Sequence, residues 1–267
     1  MMNYKIKNSL SLQIKYCFIN FFFILKLSYF DIILRYRRTV LGPLWNILST
    51  TAITLLIGGF WSIIFNDLNF EYFLQVYVGF IIWNLIQNMT IGSTTLLTQE
   101  HNELIRNTNT PISALALRHT LRSMITMSYF FPIILFLLIL REKTQLINIP
   151  LIVFVLIMIF IIFFLLSSII SILCSRYRDL VEILSLIIGS SLLITPVIWD
   201  SKMLVSYQKF IYLNPFAIII DSLRKPLLGQ DINFILYLYL LGITLVLYVI
   251  LNFIFKKKGN LIVFWSN

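Results

Sequence analysis

Long runs of apolar residues, separated by short polar segments, dominate this sequence. A transmembrane helix needs about 20 mostly apolar residues. Six windows meet that requirement: 44–65, 72–98, 114–140, 150–174, 180–199 and 234–255. They are far longer than the roughly 10-residue strands of a membrane barrel, and they do not alternate. The pattern therefore predicts an all-α integral membrane protein with a six-span domain over residues 44–255.

The first 43 residues form a separate N-terminal segment, in which apolar residues are interrupted by charge. Lys15, Lys26, Asp31 and Arg35 divide the stretch 10–37, so it does not read as a seventh span. Its apolar positions recur every three or four residues; they are Phe18, Phe22, Leu25, Tyr29, Ile32, Ile33 and Tyr36. This spacing predicts one amphipathic helix in the membrane interface. A frayed tail beside the membrane is the alternative.

Composition and charge agree with a membrane protein and suggest its orientation. The chain is 59% hydrophobic and 12% charged, whereas soluble domains are about 45–50% apolar and about 25% charged. If the spans alternate from an inside N-terminus, the inside segments hold 15 of the 21 Lys and Arg residues. Short cytoplasmic loops carry such an excess. We therefore expect a protein of the inner membrane with both termini, including the basic tail 256–267, on the cytoplasmic side. The net charge of +10 is then explained by topology rather than by nucleic-acid binding.

Two of the predicted spans carry a polar stripe along one face. The first span has Asn46, Thr50, Thr54 and Trp61, and the second has Tyr77, Asn84, Asn88 and Thr95. Polar side chains inside a membrane turn toward other helices or toward a water-filled path. The stripes are therefore candidates for channel lining, and helix–helix hydrogen bonds are the alternative.

Arginines crowd the entrance of the first span. Arg35, Arg37 and Arg38 surround Tyr36 in the stretch "LRYRRTVLGPLW". Positive charge at this point anchors a span at the cytoplasmic face. The planar guanidinium also matches phosphate oxygens two at a time. The cluster is thus a candidate lipid-headgroup site and gate, with anchoring alone as the alternative.

Two further charged segments fall on the predicted cytoplasmic side. The loop after the second span predicts a short exposed helix, with Glu100, Glu103, Leu104 and Arg106, that docks a partner or forms a solvated turn. The fifth span begins with a second cluster, Arg176, Arg178, Asp179 and Glu182. Acidic residues in a first helical turn favour the helix dipole, so this cluster reads as a helix start or a second docking face.

The segment between the fifth and sixth spans predicts helices that dip into the outer leaflet. Asn214 is a helix N-cap, Pro215 suits the first helical position, and Gly229 suits the end of the helix. A helix of that length cannot cross the hydrocarbon layer. We expect re-entrant outer helices over 200–230, with Trp199 at the interface.

Several classes of function have no support in the residues. The cores of the spans lack Asp, Glu, Lys and Arg, which argues against a proton-coupled transporter. No GxxxxGK[ST] motif is present, so this chain does not bind ATP through a P-loop. Its histidines and cysteines lack metal-site spacing, and no catalytic residues stand out. An intramembrane glycolipid-processing enzyme that uses Asp179 and Glu182 remains an alternative.

Six stretches occur in an order and spacing that resemble one known family. They are "RYRRTVLGPLWNILST", "LIRNTNTPISALALR", "SRYRDLVEILSLI", "TPVIW", "LNPFAIIIDSLRKPLLG" and "KKKGNLIVFW". Together they look like the membrane subunit of polysaccharide-exporting ABC transporters, the permeases for O-antigen, capsule and teichoic acid. The likeness covers roughly residues 30–267.

The resemblance implies a homodimer of six-span subunits that pairs with two copies of a separate cytoplasmic ATPase. That partner would bind ATP and magnesium, and this chain would need no cofactor. The loop with Glu103 and Arg106 would be the coupling helix, "RYRR" part of a gate, and residues 200–230 the outer gate. The transported molecule would be a polysaccharide on undecaprenyl pyrophosphate or a related lipid. A small-molecule or drug exporter of the same superfamily is the alternative.

Overall fold

The computed structural model describes residues 9–64, 70–97, 110–140, 147–199, 211 and 213–265. All regular structure within these residues is helical. The helices, in chain order, are α1 (Leu10–Ile19), α2 (Phe21–Tyr36), α3 (Leu44–Ile64), α4 (Phe70–Thr94), α5 (Ile112–Ser128), α6 (Phe131–Leu140), α7 (Ile149–Arg176), α8 (Leu180–Ile194), α9 (Pro215–Leu228) and α10 (Phe234–Trp265).

Four stretches of helix are long and apolar enough to cross a membrane, among the residues that the structure describes. They are Leu44–Trp61 in α3, Ile112–Leu140 in α5 and α6, Ile149–Arg176 in α7, and Phe234–Lys257 in α10. The number rises to five if the bent pair α1 and α2 is taken as one span. The prediction of a helical, multi-pass membrane protein is confirmed.

The span made of α5 and α6 is interrupted at Tyr129 and Phe130. Pro132 has no backbone N–H to donate to the Ser128 carbonyl, and proline in a helix breaks it at the preceding turn. The amide of Phe130 closes a tighter turn instead, donating to the carbonyl of Met127 at 3.0 Å. One predicted span is therefore two helices.

Two of the six predicted spans are not among those four. Helix α4 covers the second predicted span, but its polar residues lower its hydropathy, and it is buried along most of its length.

Helix α8 ends at Ile194, so the fifth predicted span, 180–199, is too long. Its 15 residues extend about 22 Å at about 1.5 Å per residue. The helix stops at Thr195, which is extended, because a residue before proline avoids helical geometry.

The N-terminal segment is two helices, so the prediction of one helix over 10–37 is wrong. The chain bends by 74° between α1 and α2, at Asn20, whose side chain donates to the Tyr16 carbonyl at 3.0 Å. Phe18 and Phe22, which belong to the predicted apolar face, are 78% and 77% exposed and are free to contact lipid. The opposite face, which includes the buried Ile24, packs against the rest of the protein.

Helices α4 and α7 occupy the centre of the bundle. Helix α4 packs against α3, α5, α7, α8 and α9, and α7 packs against α4, α5, α9 and α10. Val76, Ile82 and Ile86 of α4 and Val155 and Ile159 of α7 are completely or almost completely buried. The polar face of α4 is thereby held against α3 and α5, where the candidate site lies.

Candidate functional site

A cavity of about 460 Å³ opens between α2, α3, α4 and α5. Arg35 and Tyr36 reach it from the end of α2, and Asn46 from the start of α3. Helix α4 contributes Asn84 and Asn88. The cavity therefore collects residues from parts of the chain that lie far apart in the sequence.

The charged groups of this cavity are positive. Helix α2 brings Arg35 to it and helix α5 brings Arg122. A guanidinium nitrogen of Arg122 lies 3.1 Å from Nδ1 of His119, a further residue of the lining. Among the described residues the lining contains no carboxylate. Opposite charges attract strongly where water is partly excluded, so the cavity is suited to an anion.

His119 lies tightly against α4 at a glycine. A Cβ added to Gly92 would stand 2.5 Å from Cε1 of His119 and 2.9 Å from Nε2. The imidazole is buried beside the carbonyls of Asn88 and Met89, but Nε2 makes no hydrogen bond to any described residue. Gly92 thus allows α5 to approach α4 closely enough to seat the ring at the cavity wall.

A buried glutamine joins α1 to the start of α5. Gln13 is completely buried, and its Oε1 accepts hydrogen bonds from the amide of Ser113 at 3.1 Å and from its hydroxyl at 2.7 Å. The first amides of a helix have no partner within the helix. Pro111, the residue before α5, supplies no side-chain cap, so Gln13 does so from another helix.

An ion pair joins α2 to α5 one helical turn from the cavity. Nε of Arg118 donates to Oδ2 of Asp31 at 2.7 Å, and Nη2 of Arg118 donates to Oδ1. The hydroxyl of Ser28 also donates to the Arg118 carbonyl, at 3.0 Å. Helix α2 is thus fixed along α5.

The two polar stripes predicted from the sequence face each other between α3 and α4. Nδ2 of Asn84 donates to Oγ1 of Thr50 at 3.4 Å, and the hydroxyls of Thr51 and Tyr77 lie 3.2 Å apart. Thr54 bonds back to its own helix, at the Thr50 carbonyl. Three of the eight candidates line the cavity, namely Asn46, Asn84 and Asn88. The other five lie outside its lining, namely Thr50, Thr54, Trp61, Tyr77 and Thr95.

The structure divides the predicted headgroup cluster. Arg35, Arg37 and Arg38 are all exposed, but only Arg35, together with Tyr36, lines the cavity. The predicted docking residues Glu100, Glu103, Leu104 and Arg106 lie outside the described residues. The second cluster, Arg176, Arg178, Asp179 and Glu182, lies at the junction of α7 and α8 and is not part of the cavity.

The helix ends predicted around α9 are confirmed. Oδ1 of Asn214 accepts from the amide of Phe216 at 2.9 Å, Pro215 is the first residue of the helix, and Gly229 ends it with φ +63°. Nδ2 of Asn214 also donates to Oγ1 of Thr195 at 2.8 Å, which ties α9 to the end of α8. Trp199 donates to the Leu193 carbonyl at 3.3 Å.

Sequence reasoning missed the contributions of α5 to this site. His119 and Arg122 fall within the third predicted span, 114–140, and the sequence pattern gives no functional role to either of them, or to Asp31 and Arg118. A signal was present, because Asp31 and Arg35 are four residues apart, as are Arg118 and Arg122. Residues four apart share one face of a helix, so each pair marks a polar face at the end of an apolar run.

Comparison with known families agrees with this architecture. The family described as ABC-2 type transporter matches residues 23–228, which is most of the chain and includes most of α2, the cavity and α9. No curated protein matches the sequence significantly. The apolar spans, the polar cavity among them and the extent of the match lead to one conclusion: the chain belongs to the ABC-2 type transporter family, as a membrane permease that works with an ATPase subunit.

Proposed function

We propose that this chain is the permease subunit of an exporter that moves a lipid-linked polysaccharide, such as O-antigen or a similar cell-surface glycan, across the cytoplasmic membrane. The arginine-lined cavity carries the proposal. It combines two arginines and a histidine with amide side chains, in a bundle whose outer helices expose apolar side chains. An amphiphile with an anionic headgroup needs a polar, positive pocket for the headgroup and apolar helix surfaces around it for the lipid chain.

The phosphate of the lipid headgroup binds between Arg35 and Arg122. Arginine is suited to this role because its planar fork meets two phosphate oxygens at once. The amides of Asn84 and Asn88, together with Tyr36, offer hydrogen bonds to the remaining oxygens and to sugar hydroxyls. The sequence analysis proposes Arg37 and Arg38 for the same headgroup, but they lie outside the cavity lining, and this position favours a role in anchoring the start of α3.

Energy comes from two copies of a separate ATPase, which bind ATP and magnesium. The proposed coupling segment with Glu103 and Arg106 falls between Leu97 and Thr110, directly before α5. Because α5 carries Arg122, a displacement of that segment reaches the cavity wall through a single helix. This continuity along the chain supports the assignment of the segment as the docking element.

The permease works as a homodimer of six-span subunits with both termini cytoplasmic. Helix α4, with 25 residues, extends about 38 Å and is long enough to serve as the second span. Helix α8 and the turn residues after it serve as the fifth. Helix α9 is too short to cross and forms part of the outer gate, with Trp199, Asn214, Pro215 and Gly229 at the ends of its elements.

Lysine substitutions test the headgroup assignment. The protein would be reconstituted with its ATPase in vesicles that contain lipid-linked glycan, and export would be measured for Arg35→Lys and Arg122→Lys. Lysine keeps the charge that guides insertion but loses the fork. Each variant should insert normally and lose about 10- to 150-fold in export, since a charge-assisted hydrogen bond contributes roughly 1.5–3 kcal/mol.

The matched comparison is Arg37→Lys combined with Arg38→Lys, which should lose less. Export at the parental rate in both Arg35→Lys and Arg122→Lys would contradict the headgroup site. Stimulation of ATP hydrolysis distinguishes the substrate class: farnesyl diphosphate should stimulate more than farnesol at equal concentration. The reverse order would favour the alternative, an exporter of uncharged small molecules.

A further inference from the structure

The two arginines of the cavity and the two residues of the ion pair lie on the same two helices, α2 and α5, with the same spacing. On α2, Asp31 precedes Arg35 by four residues, and on α5, Arg118 precedes Arg122 by four. Residues four apart lie on one helix face about one turn from each other. The first member of each pair makes the ion pair, and the second member lines the cavity.

The contacts between α2 and α5 run in parallel order along both helices. Gln13, before the bend, meets Ser113 at the start of α5. Ser28 and Asp31 meet Arg118, farther along. Arg35 and Arg122 come next in each helix, so the same register brings both to one cavity. The ion pair is partly shielded from solvent, with the side chains of Arg118 and Asp31 18% and 16% exposed.

Two guanidinium groups that face one cavity repel each other. A contact between α2 and α5 close to the cavity therefore helps to decide how far apart Arg35 and Arg122 stand. The ion pair of Asp31 and Arg118 is such a contact, because it joins the two helices one turn before the cavity. The hydrogen bond from the Ser28 hydroxyl to the Arg118 carbonyl adds to it.

We propose that Asp31 and Arg118 are positioning residues, whose ion pair holds Arg35 and Arg122 at the separation that an anionic phosphate headgroup requires. The proposal rests on the proposed function for the identity of the anion. The placement of the two guanidinium groups can be measured without any ligand.

The substitution Asn88→Cys provides a probe of that placement. Asn88 lines the cavity and is exposed, and the natural Cys17 and Cys174 are buried and would be replaced by alanine. The full chain in nanodiscs would be treated with a negatively charged sulfonatoethyl methanethiosulfonate and with its positively charged trimethylammonium counterpart. The ratio of the two reaction rates reports the positive potential at the cavity.

Charge counting and positioning predict opposite results for Asp31→Asn. Removal of a carboxylate makes the region more positive, so charge alone would raise the ratio of anionic to cationic rates. If the carboxylate positions the arginines, its loss lets them move away and lowers the ratio. The expected fall is about fourfold. Moving a unit charge from about 5 to about 10 Å from the thiol in water changes the rate of each reagent by about twofold, in opposite directions.

Arg118→Lys provides a second variant in which total charge does not change. Lysine cannot make the two-point contact with Asp31, so the ratio should fall here too. Asp31→Glu, which keeps a carboxylate, should retain most of the parental ratio. Asp231→Asn, which removes an exposed carboxylate outside the cavity lining, is the matched control and should leave the ratio unchanged.

Protection by inorganic pyrophosphate and by farnesyl diphosphate separates the two proposals and the two possible anion sources. A fall of the ratio in Asp31→Asn and Arg118→Lys supports the positioning role, whether or not either compound protects the introduced thiol. A lack of protection by both compounds would refute only the headgroup function. Protection by farnesyl diphosphate at lower concentration than pyrophosphate identifies a lipid headgroup rather than a free phosphate. An unchanged or raised ratio in both variants overturns the positioning role, whatever the compounds do.

Discussion

Arg224 on α9 donates a hydrogen bond of 2.9 Å to the carbonyl oxygen of Pro196, just beyond the end of α8. The backbone at that point is irregular, and polar backbone groups within a membrane protein must be satisfied by the protein itself. Tyr72 of α4 provides a second such contact, with its hydroxyl 3.0 Å from the Ile198 carbonyl. The end of α8 therefore depends on side chains from two other helices.

Loss of Asp221 should destabilise the protein more than loss of Arg224. Asp221 and Arg224 are both buried and joined at 2.6 Å. Arg224→Met leaves Asp221 with Lys225, at 3.5 Å. Asp221→Asn instead leaves a buried guanidinium without its carboxylate, and breaking a buried pair in this way costs roughly 3–5 kcal/mol.

Thermal unfolding of the purified protein in detergent measures this difference. The midpoint for Asp221→Asn should lie below that for Arg224→Met, and Asp231→Asn, an exposed carboxylate, should stay near the parental value. Equal midpoints for the two buried variants would show that the charge of Arg224 is neutralised by another group.

Gly79→Ala should weaken the contact between α4 and the segment after α8. A Cβ at this position would stand 2.9 Å from the carbonyl oxygen of Val197, a backbone atom that cannot rotate away. Overpacking of this kind costs roughly 1–3 kcal/mol and should lower the unfolding midpoint. Gly242→Ala in α10, where nothing lies within 4 Å, is the matched control and should be neutral or slightly stabilising.

Gln13→Ala should loosen the start of α5. The variant removes the side chain that caps the amide of Ser113, and loss of a helix cap costs about 0.5–2 kcal/mol. Combined with Ser113→Ala, the cost should be less than the sum of the two single costs, because both variants remove the same hydrogen bond. Additive changes in the unfolding midpoint would argue that the contact contributes nothing. Ser11→Ala, at an exposed position of α1, serves as the control and should leave the midpoint unchanged.

Reporter fusions should place both termini in the cytoplasm. Fusions after residues 69 and 148 are expected to report outside, and fusions after residues 107 and 260 inside, because 15 of the 21 basic residues then fall within inside segments. This experiment also decides whether α4 and α8 cross. If α4 did not cross, the reporters after residues 107, 148 and 260 would all invert, whereas if α8 did not cross, only the reporter after residue 260 would invert. A clear reversal at any position would refute the six-span arrangement.

Charge reversal in the proposed docking segment should uncouple the two subunits. Glu103→Lys and Arg106→Glu are each expected to reduce export while the protein still inserts and the ATPase remains active. Lys143→Glu, in a loop predicted on the opposite side, is the control. Parental export and normal ATPase association in both variants would exclude this segment as the docking element.

Local sequence signals predicted the ends of α9 correctly. Asn214, Pro215 and Gly229 act within a few residues of their own positions, through a side-chain cap, a fixed φ and a left-handed turn. The bend at Asn20 had no comparable signal. The apolar spacing continues through it, and packing of α1 and α2 against α5 rather than local preference accompanies the change of direction.

The sequence by itself determined that this protein is a helical, multi-pass membrane protein, because span length, backbone satisfaction and helix capping depend on residues close together in the chain. It also identified Arg35, Asn84 and Asn88 as unusual polar positions. Only the tertiary structure decided that Arg122 and His119 complete the cavity and that Asp31 pairs with Arg118. Those partners are separated by about a third of the chain, and their meeting depends on how α2, α4 and α5 pack, which no local pattern of residues encodes.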